Sequence, residues 1–162
     1  KYVNAVHSSV LSDGTYGGNP GGFVVETNEG NFYYSGDTAL TIDMQLIPLT
    51  CAKLNVALLP IGNNFTMGIK DAVIASDFVQ CNKVVGLHYD TFGYIKIDHK
   101  QAVDTFKEKG KEYYIKNKDK ILERTNKNKK LLYFFIISML FLLFSNIFKC
   151  YLLIIIRFLS FS

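Results

Sequence analysis

Two short apolar runs, "NVALLP" (55–60) and "KVVGLHY" (83–89), lie between segments whose apolar residues recur at helical intervals. No other feature constrains the fold as much. A short, nearly all-apolar run is the mark of a strand covered on both faces. The flanking segments read as helices. "TALTIDMQLI" (38–47) has Asp37 or Thr38 at its start and Pro48 just beyond its end. "MGIKDAVIASDFVQ" (67–80) and the amphipathic "KQAVDTFKEKG" (100–110) follow, the latter with Gly110 as its C-cap. Strands that alternate with helices call for an α/β arrangement with helices covering the sheet.

Upstream, "YVNAVH" (2–7) is β-rich and ends at His7, before a loop of Gly, Ser and Asn. "FVVET" (23–27) and "FYYS" (32–35) flank "NEG" and predict a hairpin. In "NFYYSGDTAL" (31–40) that second strand stops at a tight turn and leaves a carboxylate, Asp37, at its end. A carboxylate there either caps the following helix or faces a cation. His7, Asp37 and His88 share one kind of address, the point where a strand gives way to a loop, and ligand sites are commonly built at that edge of a sheet. Their spacing lacks the local pairing of a compact metal site. From the residues alone, strand-end histidines that hydrogen-bond at the surface and an N-capping aspartate stand beside the metal reading.

The 162 residues fit one domain with a real core. The first residue is Lys1, so the chain is expected to be part of something longer. Basicity is a C-terminal feature: residues 1–99 hold five lysines against nine acids, and residues 100–130 hold eleven Lys/Arg against five. A nucleic-acid surface needs basic residues on the body, interleaved with aromatics, so no nucleic-acid partner is expected. Cys51, Cys81 and Cys150 are widely spaced, with no CxxC, which indicates free thiols in a reducing compartment and a cytoplasmic protein. Three regions are expected: a body over 1–115, a basic linker over 116–130 and an apolar tail over 131–162. Residues 131–148 carry no charge and are long enough to span a membrane, with the lysines before them holding the body on the cytoplasmic side. The tail's Lys, Asn, Ile, Phe, Tyr and Leu are also what A- and T-rich codons produce, so a read-through end is the competing account. A buried helix hairpin is the third.

The strings "HSS", "GNPGGFVV", "YYSGDTAL", "LLPIGNNFTMGIKDA" and "HYDTF" occur in this order. Together, over roughly residues 1–112, the chain resembles the C-terminal half of metal-dependent hydrolases of the metallo-β-lactamase superfamily, in the small branch related to ascorbate-6-phosphate lactonase. The resemblance implies half of an αββα sandwich, here followed by the apolar helical tail, with metals at one edge of its sheets. It implies His7, Asp37 and His88 as metal ligands, Asp37 bridging, with Asp37 and His88 catalytic. Nitrogen and oxygen donors suit a divalent cation, Zn²⁺ first and Mn²⁺ or Fe²⁺ next.

The family's HxHxDH loop, which carries the remaining ligands, does not occur in the sequence. The implied reaction is hydrolysis of a small ester, lactone or phosphoester by metal-activated water, with this chain alone nearly inactive. Ser8 and Ser9 are expected to hydrogen-bond the turn around His7. Tyr89, Asp90 and Thr91 are candidates to orient His88 or touch substrate, and Phe65 and Met67 to line the pocket or the core. His99 is expected to be solvated. Two rivals remain: a nuclease of the same fold, disfavoured by the acidic body, and a non-catalytic, tail-anchored membrane protein with a degenerate hydrolase fold.

Overall fold

A computed structural model describes residues 1–114; the basic linker at 116–130 and the apolar tail at 131–162 lie outside the described residues. Six strands form one sheet in chain order: β1 (Tyr2–Asn4), β2 (Gly21–Thr27), β3 (Gly30–Tyr34), β4 (Val56–Pro60), β5 (Lys83–Leu87) and β6 (Glu112–Tyr114). β1, β2 and β3 pair antiparallel, whereas β3 through β6 pair parallel. The β2–β3 hairpin is where the sequence predicts it. At its turn the Thr27 hydroxyl accepts from the backbone N–H groups of Glu29 and Gly30.

Each parallel pair is joined by a crossover carrying helix: α1 (Ile47–Thr50) after β3, α2 (Ile69–Phe78) after β4 and α3 (His99–Glu108) after β5. Such crossovers are right-handed. Because the parallel strands are laid down in one direction, right-handedness puts every connecting helix on the same face. The core lies there. Val24, Tyr33, Ala57 and Val84 occupy one register row across β2–β5, are each 0% exposed, and pack with Met44, Ile47, Ala72 and Phe106. Burying each large side chain of this layer contributes about 1.5–3 kcal/mol. The α/β expectation is met as one helix layer on one sheet, an αβ half of the implied sandwich.

Four details differ from the sequence expectation. Among the described residues β4 and β5 are covered by helices on one face only: Ala57 and Val84 are buried, and their neighbours Leu58 and Val85 are partly exposed. The predicted helix over 38–47 is a 3₁₀ turn over Ile42–Leu46, capped by Thr41, whose hydroxyl accepts from Asp43 N. Pro48 does not lie beyond a helix but sits in the first turn of α1, where its missing N–H is not needed. The C-cap of α3 is Lys109, with Gly110 one position beyond it. The sequence reading also missed β6, a short strand whose Tyr113 stacks on Phe106 with centroids 4.4 Å apart.

Among the described residues no helix is long and apolar enough to cross a membrane. Cys51 and Cys81 are free, and burial pushes the Cys81 thiol pKa up.

The phenol oxygens of Tyr33 and Tyr113 are buried without a hydrogen-bond partner. Burial raises both pKa values, further helped at Tyr113 by Tyr89 and Asp90. The folded chain therefore keeps protons that the unfolded chain releases near about pH 10. The associated stability is full below that pH and falls as the pH rises past it. Tyr33→Phe removes an orphaned hydroxyl. It is expected to raise the unfolding free energy by about 1 kcal/mol at neutral pH and to lessen the alkaline loss, read by urea titration at neutral and alkaline pH.

Candidate metal centre

β1 and β3 both run antiparallel to β2, and β4 and β5 run parallel to β3, so the carboxyl ends of β1, β3, β4 and β5 share one edge of the sheet. The chain leaves that edge four times, delivering His7, Asp37, Phe65 and His88. With Ser8 and Phe92 they line one open cavity of about 420 Å³. The exits are tied to one another by backbone: Ala39 N donates to Val6 O at 2.9 Å, Met67 N to Thr38 O at 2.9 Å and Ile61 N to Leu87 O at 3.0 Å.

The turn in "YYSGD" has a steric explanation. Gly36 has φ +65°, and a Cβ there would stand 2.6 Å from Gly21 O. Only glycine turns the chain so sharply this close to β2, and the turn delivers Asp37 to the cavity. Neither Asp37 nor Thr38 caps a helix. Thr38 is buried, and its hydroxyl accepts from Val6 N at 2.9 Å.

Backbone strain gathers at the same edge. Asn63, Asn64, His88 and Asp90 have φ of 62°, 54°, 51° and 61°, four of the five left-handed non-glycine residues among those described. Each costs on the order of 1–3 kcal/mol, and such residues cluster at functional sites. Gly62 backs His88 so closely that a Cβ would lie 2.1 Å from His88 O.

Asp37 Oδ2 and His88 Nε2 are 3.5 Å apart. That is beyond a good hydrogen bond. Two donors each about 2.1 Å from one tetrahedral cation stand about 3.4 Å apart, so the pair fits a shared ion. His7 Nδ1 lies 2.8 Å from Ser8 O, which can only accept. The ring therefore donates there, and in its neutral form leaves the Nε2 lone pair available, the tautomer that ligating histidines adopt. His88 Nδ1 is buried with no hydrogen-bond partner, at a cost of about 1–3 kcal/mol. The Asp37 charge reaches Tyr34, whose phenol pKa is raised first by burial and then by that carboxylate.

Among the described residues no group of three His, Cys, Asp or Glu is close enough to hold a metal by itself. Asp37 and His88 meet, and His7 lines the same cavity apart from them. The donor set suits a divalent cation as part of a shell.

Other candidates separate cleanly. Ser9 braces the loop, its carbonyl accepting from Gly17 N at 2.6 Å. Met67 is 0% exposed and belongs to the core, whereas Phe65 stands at the cavity lip with its ring 6.1 Å from Phe92. Asp90 does not orient His88. Its Oδ1 accepts from Ile97 N at 3.0 Å and its Oδ2 lies 2.5 Å from His99 Nε2, so it braces its loop against the start of α3. His99 is accordingly paired, not simply solvated. Phe92 was missed by the sequence reading; the available signal was an aromatic beside glycine in "DTFGY", just past His88.

The family described as beta-lactamase superfamily domain matches residues 1–89. A UPF0173 metal-dependent hydrolase from Christiangramia forsetii is 63% identical over 112 residues, which are 69% of this chain and 49% of that protein. One from Thermus thermophilus is 48% identical over 112 residues, again 69% and 49% of the two chains. The solved structure of Igni18, a metallo hydrolase from Ignicoccus hospitalis, superposes with a TM-score of 0.61 at 32% identity, covering 70% of this chain and 47% of that one. The chain spans about half the length of the curated relatives it matches.

Gly62→Ala sets a methyl group against the His88 carbonyl and is expected to move His88 away from Asp37. The strain should cost about 1–3 kcal/mol, read by denaturant unfolding. The His88 ring signals in NMR should shift, and those of His99 should not.

Proposed function

The chain belongs to the beta-lactamase superfamily, and from that premise we propose that the protein it represents is a divalent-metal-dependent hydrolase of a small ester, lactone or phosphoester. His7, Asp37 and His88 hold the cation, with the remaining ligands supplied by the half of the relatives' length that this chain does not span. Zn²⁺ is the first expectation, with Mn²⁺ and Fe²⁺ next. The observation that carries the reading is the approach of Asp37 to His88, 3.5 Å apart across the exits of β3 and β5, on a cavity that His7 also lines. The relatives' printed names point the same way.

When bound, a divalent cation supplies Lewis acidity, lowering the pKa of water from about 15.7 toward about 7 and polarising a carbonyl or phosphoryl oxygen. The protein's own groups do the rest. The Asp37 carboxylate brings negative charge to the cavity and accepts a proton or a cation. The Ser8 carbonyl fixes the His7 tautomer, and Gly62 fixes the position of His88. Phe65 and Phe92 give one flank of the cavity an apolar surface that disfavours a charged substituent beside the reacting group. The acidic body favours a small molecule over a polyanion. Free cysteines at 51 and 81 support a reducing, cytoplasmic setting.

Two experiments test this. Titrated calorimetrically with Zn²⁺, the chain alone is expected to bind weakly, and His7→Ala, Asp37→Ala or His88→Ala to weaken binding at least about tenfold further. Equal binding by the parent and all three variants contradicts the assignment. A chimaera joining this chain to the unmatched half of the Christiangramia forsetii relative is expected to hydrolyse nitrophenyl esters or phosphodiesters only with divalent cation present. Its rate should fall at least about a hundredfold with Asp37→Asn. Activity indifferent to chelator and to Asp37 contradicts the reading.

A further inference from the structure

We propose that Phe65, Phe92 and Tyr94 form a binding site for an uncharged aryl group on the substrate. The inference rests on the hydrolase reading above and deepens it, because the cavity is where the reacting group would sit. Phe65 and Phe92 come from different strand exits, after β4 and after β5, yet both line the cavity. Their ring centroids are 6.1 Å apart with the planes 33° apart. Tyr94 continues the row, its ring 6.5 Å from that of Phe92 at 65°. The three are 55%, 46% and 74% exposed. A single exposed aromatic is ordinary. Three in mutual contact, on the rim of a cleft that also holds His7, Asp37 and His88, make an apolar binding surface beside a polar centre.

The loops hold these rings in place without burying them. Ile95 is 0% exposed and anchors the second loop: its N–H donates to Phe92 O at 3.2 Å, and its carbonyl accepts from Asp90 N at 2.9 Å. Phe65 N donates to Asn63 O at 2.6 Å, in the turn that Asn63 and Asn64 make with positive φ. The Asn64 side-chain amide donates to Tyr94 O and so joins the two loops. Groups fixed before binding lose little freedom when a ligand arrives. The chemical class follows from the lip itself, whose three side chains carry no charge. The carboxylate nearest in sequence, Asp90, is taken up by Ile97 N and His99 Nε2, so a charged substituent finds no partner there. Aromatic rings attract a further ring by offset or edge-on contact beyond the effect of buried area, worth roughly two- to tenfold in affinity. An alkyl group of the same size gains the area alone.

The test titrates benzyl alcohol and cyclohexylmethanol into the metal-free full chain and follows the aromatic ring signals by NMR. The signals of Phe65, Phe92 and Tyr94 are expected to shift together and to saturate, with benzyl alcohol bound at least about threefold more tightly. Phe92→Leu keeps an apolar surface but removes a ring, and is expected to erase that preference. Unchanged signals from the stacked pair Phe106 and Tyr113 show that this variant keeps its fold. The chimaera is expected to show the same shifts as the chain alone. Equal affinity for the two alcohols, unmoved rings, or shifts centred instead beside Leu49 and Phe78 overturn the proposal. So does a preference that survives Phe92→Leu, or a lip that responds in the chain and not in the chimaera. If zinc binds as assigned while the rings ignore benzyl alcohol, this inference alone falls. If the three ligand substitutions leave zinc binding unchanged, the hydrolase reading falls and takes the substrate role of the lip with it.

Discussion

The one-sided packing of the sheet governs everything else in this structure. Right-handed crossovers between sequential parallel strands put α1, α2 and α3 on a single face. There the buried row from Val24 through Tyr33, Ala57 and Val84 locks strand register. A register slip of one residue would exchange that row for the Phe23–Tyr34–Leu58–Val85 row and expose the core. With register fixed, the strand ends are fixed, and with them the four exits that carry His7, Asp37, Phe65 and His88 to one edge.

The site is held by backbone more than by side-chain contacts. Gly36 lets β3 turn where any side chain would strike Gly21, and Gly62 lets the β4 exit lie against the His88 carbonyl. Left-handed residues at 63, 64, 88 and 90 store strain around the cavity. A carboxylate and an imidazole left 3.5 Å apart, with the imidazole's other nitrogen orphaned in the interior, make a poor hydrogen-bonded pair and a good start to a cation shell. Asp90 and His99, close by in sequence, satisfy each other and brace the loop.

Much of this was legible in the sequence. The runs at 55–60 and 83–89 gave β4 and β5 because their apolar composition and length have few other uses. The hairpin at 23–35 followed from "NEG" between two β-rich runs. The strand-end positions of His7, Asp37 and His88 were visible, and the parallel pairing of β3, β4 and β5 is what puts Asp37 and His88 at one edge. Other features were not. Pro48 reads as a terminator from sequence, and only the packed chain shows it inside the first turn of α1. The cap was assigned near Asp37 because Asp, Thr and Thr all precede the apolar run; the tertiary bond from Val6 N to Thr38 removes Thr38 from that role and leaves it to Thr41. β6 carries too much charge around Tyr113 to announce itself, and it forms because β5 offers an open edge. Double-sided apolarity in β4 and β5 predicts two covered faces, whereas the described residues cover one.

The central claim is that His7, Asp37 and His88 act on one cation. The most direct measurement is NMR of the chain during stepwise addition of Mn²⁺, whose paramagnetism broadens the signals of whatever binds it. Broadening that begins together at residues 7, 37 and 88, and is displaced by Zn²⁺, is the result expected. Broadening that begins at carboxylates elsewhere, such as Asp71 or Asp77, while those three stay sharp would contradict it.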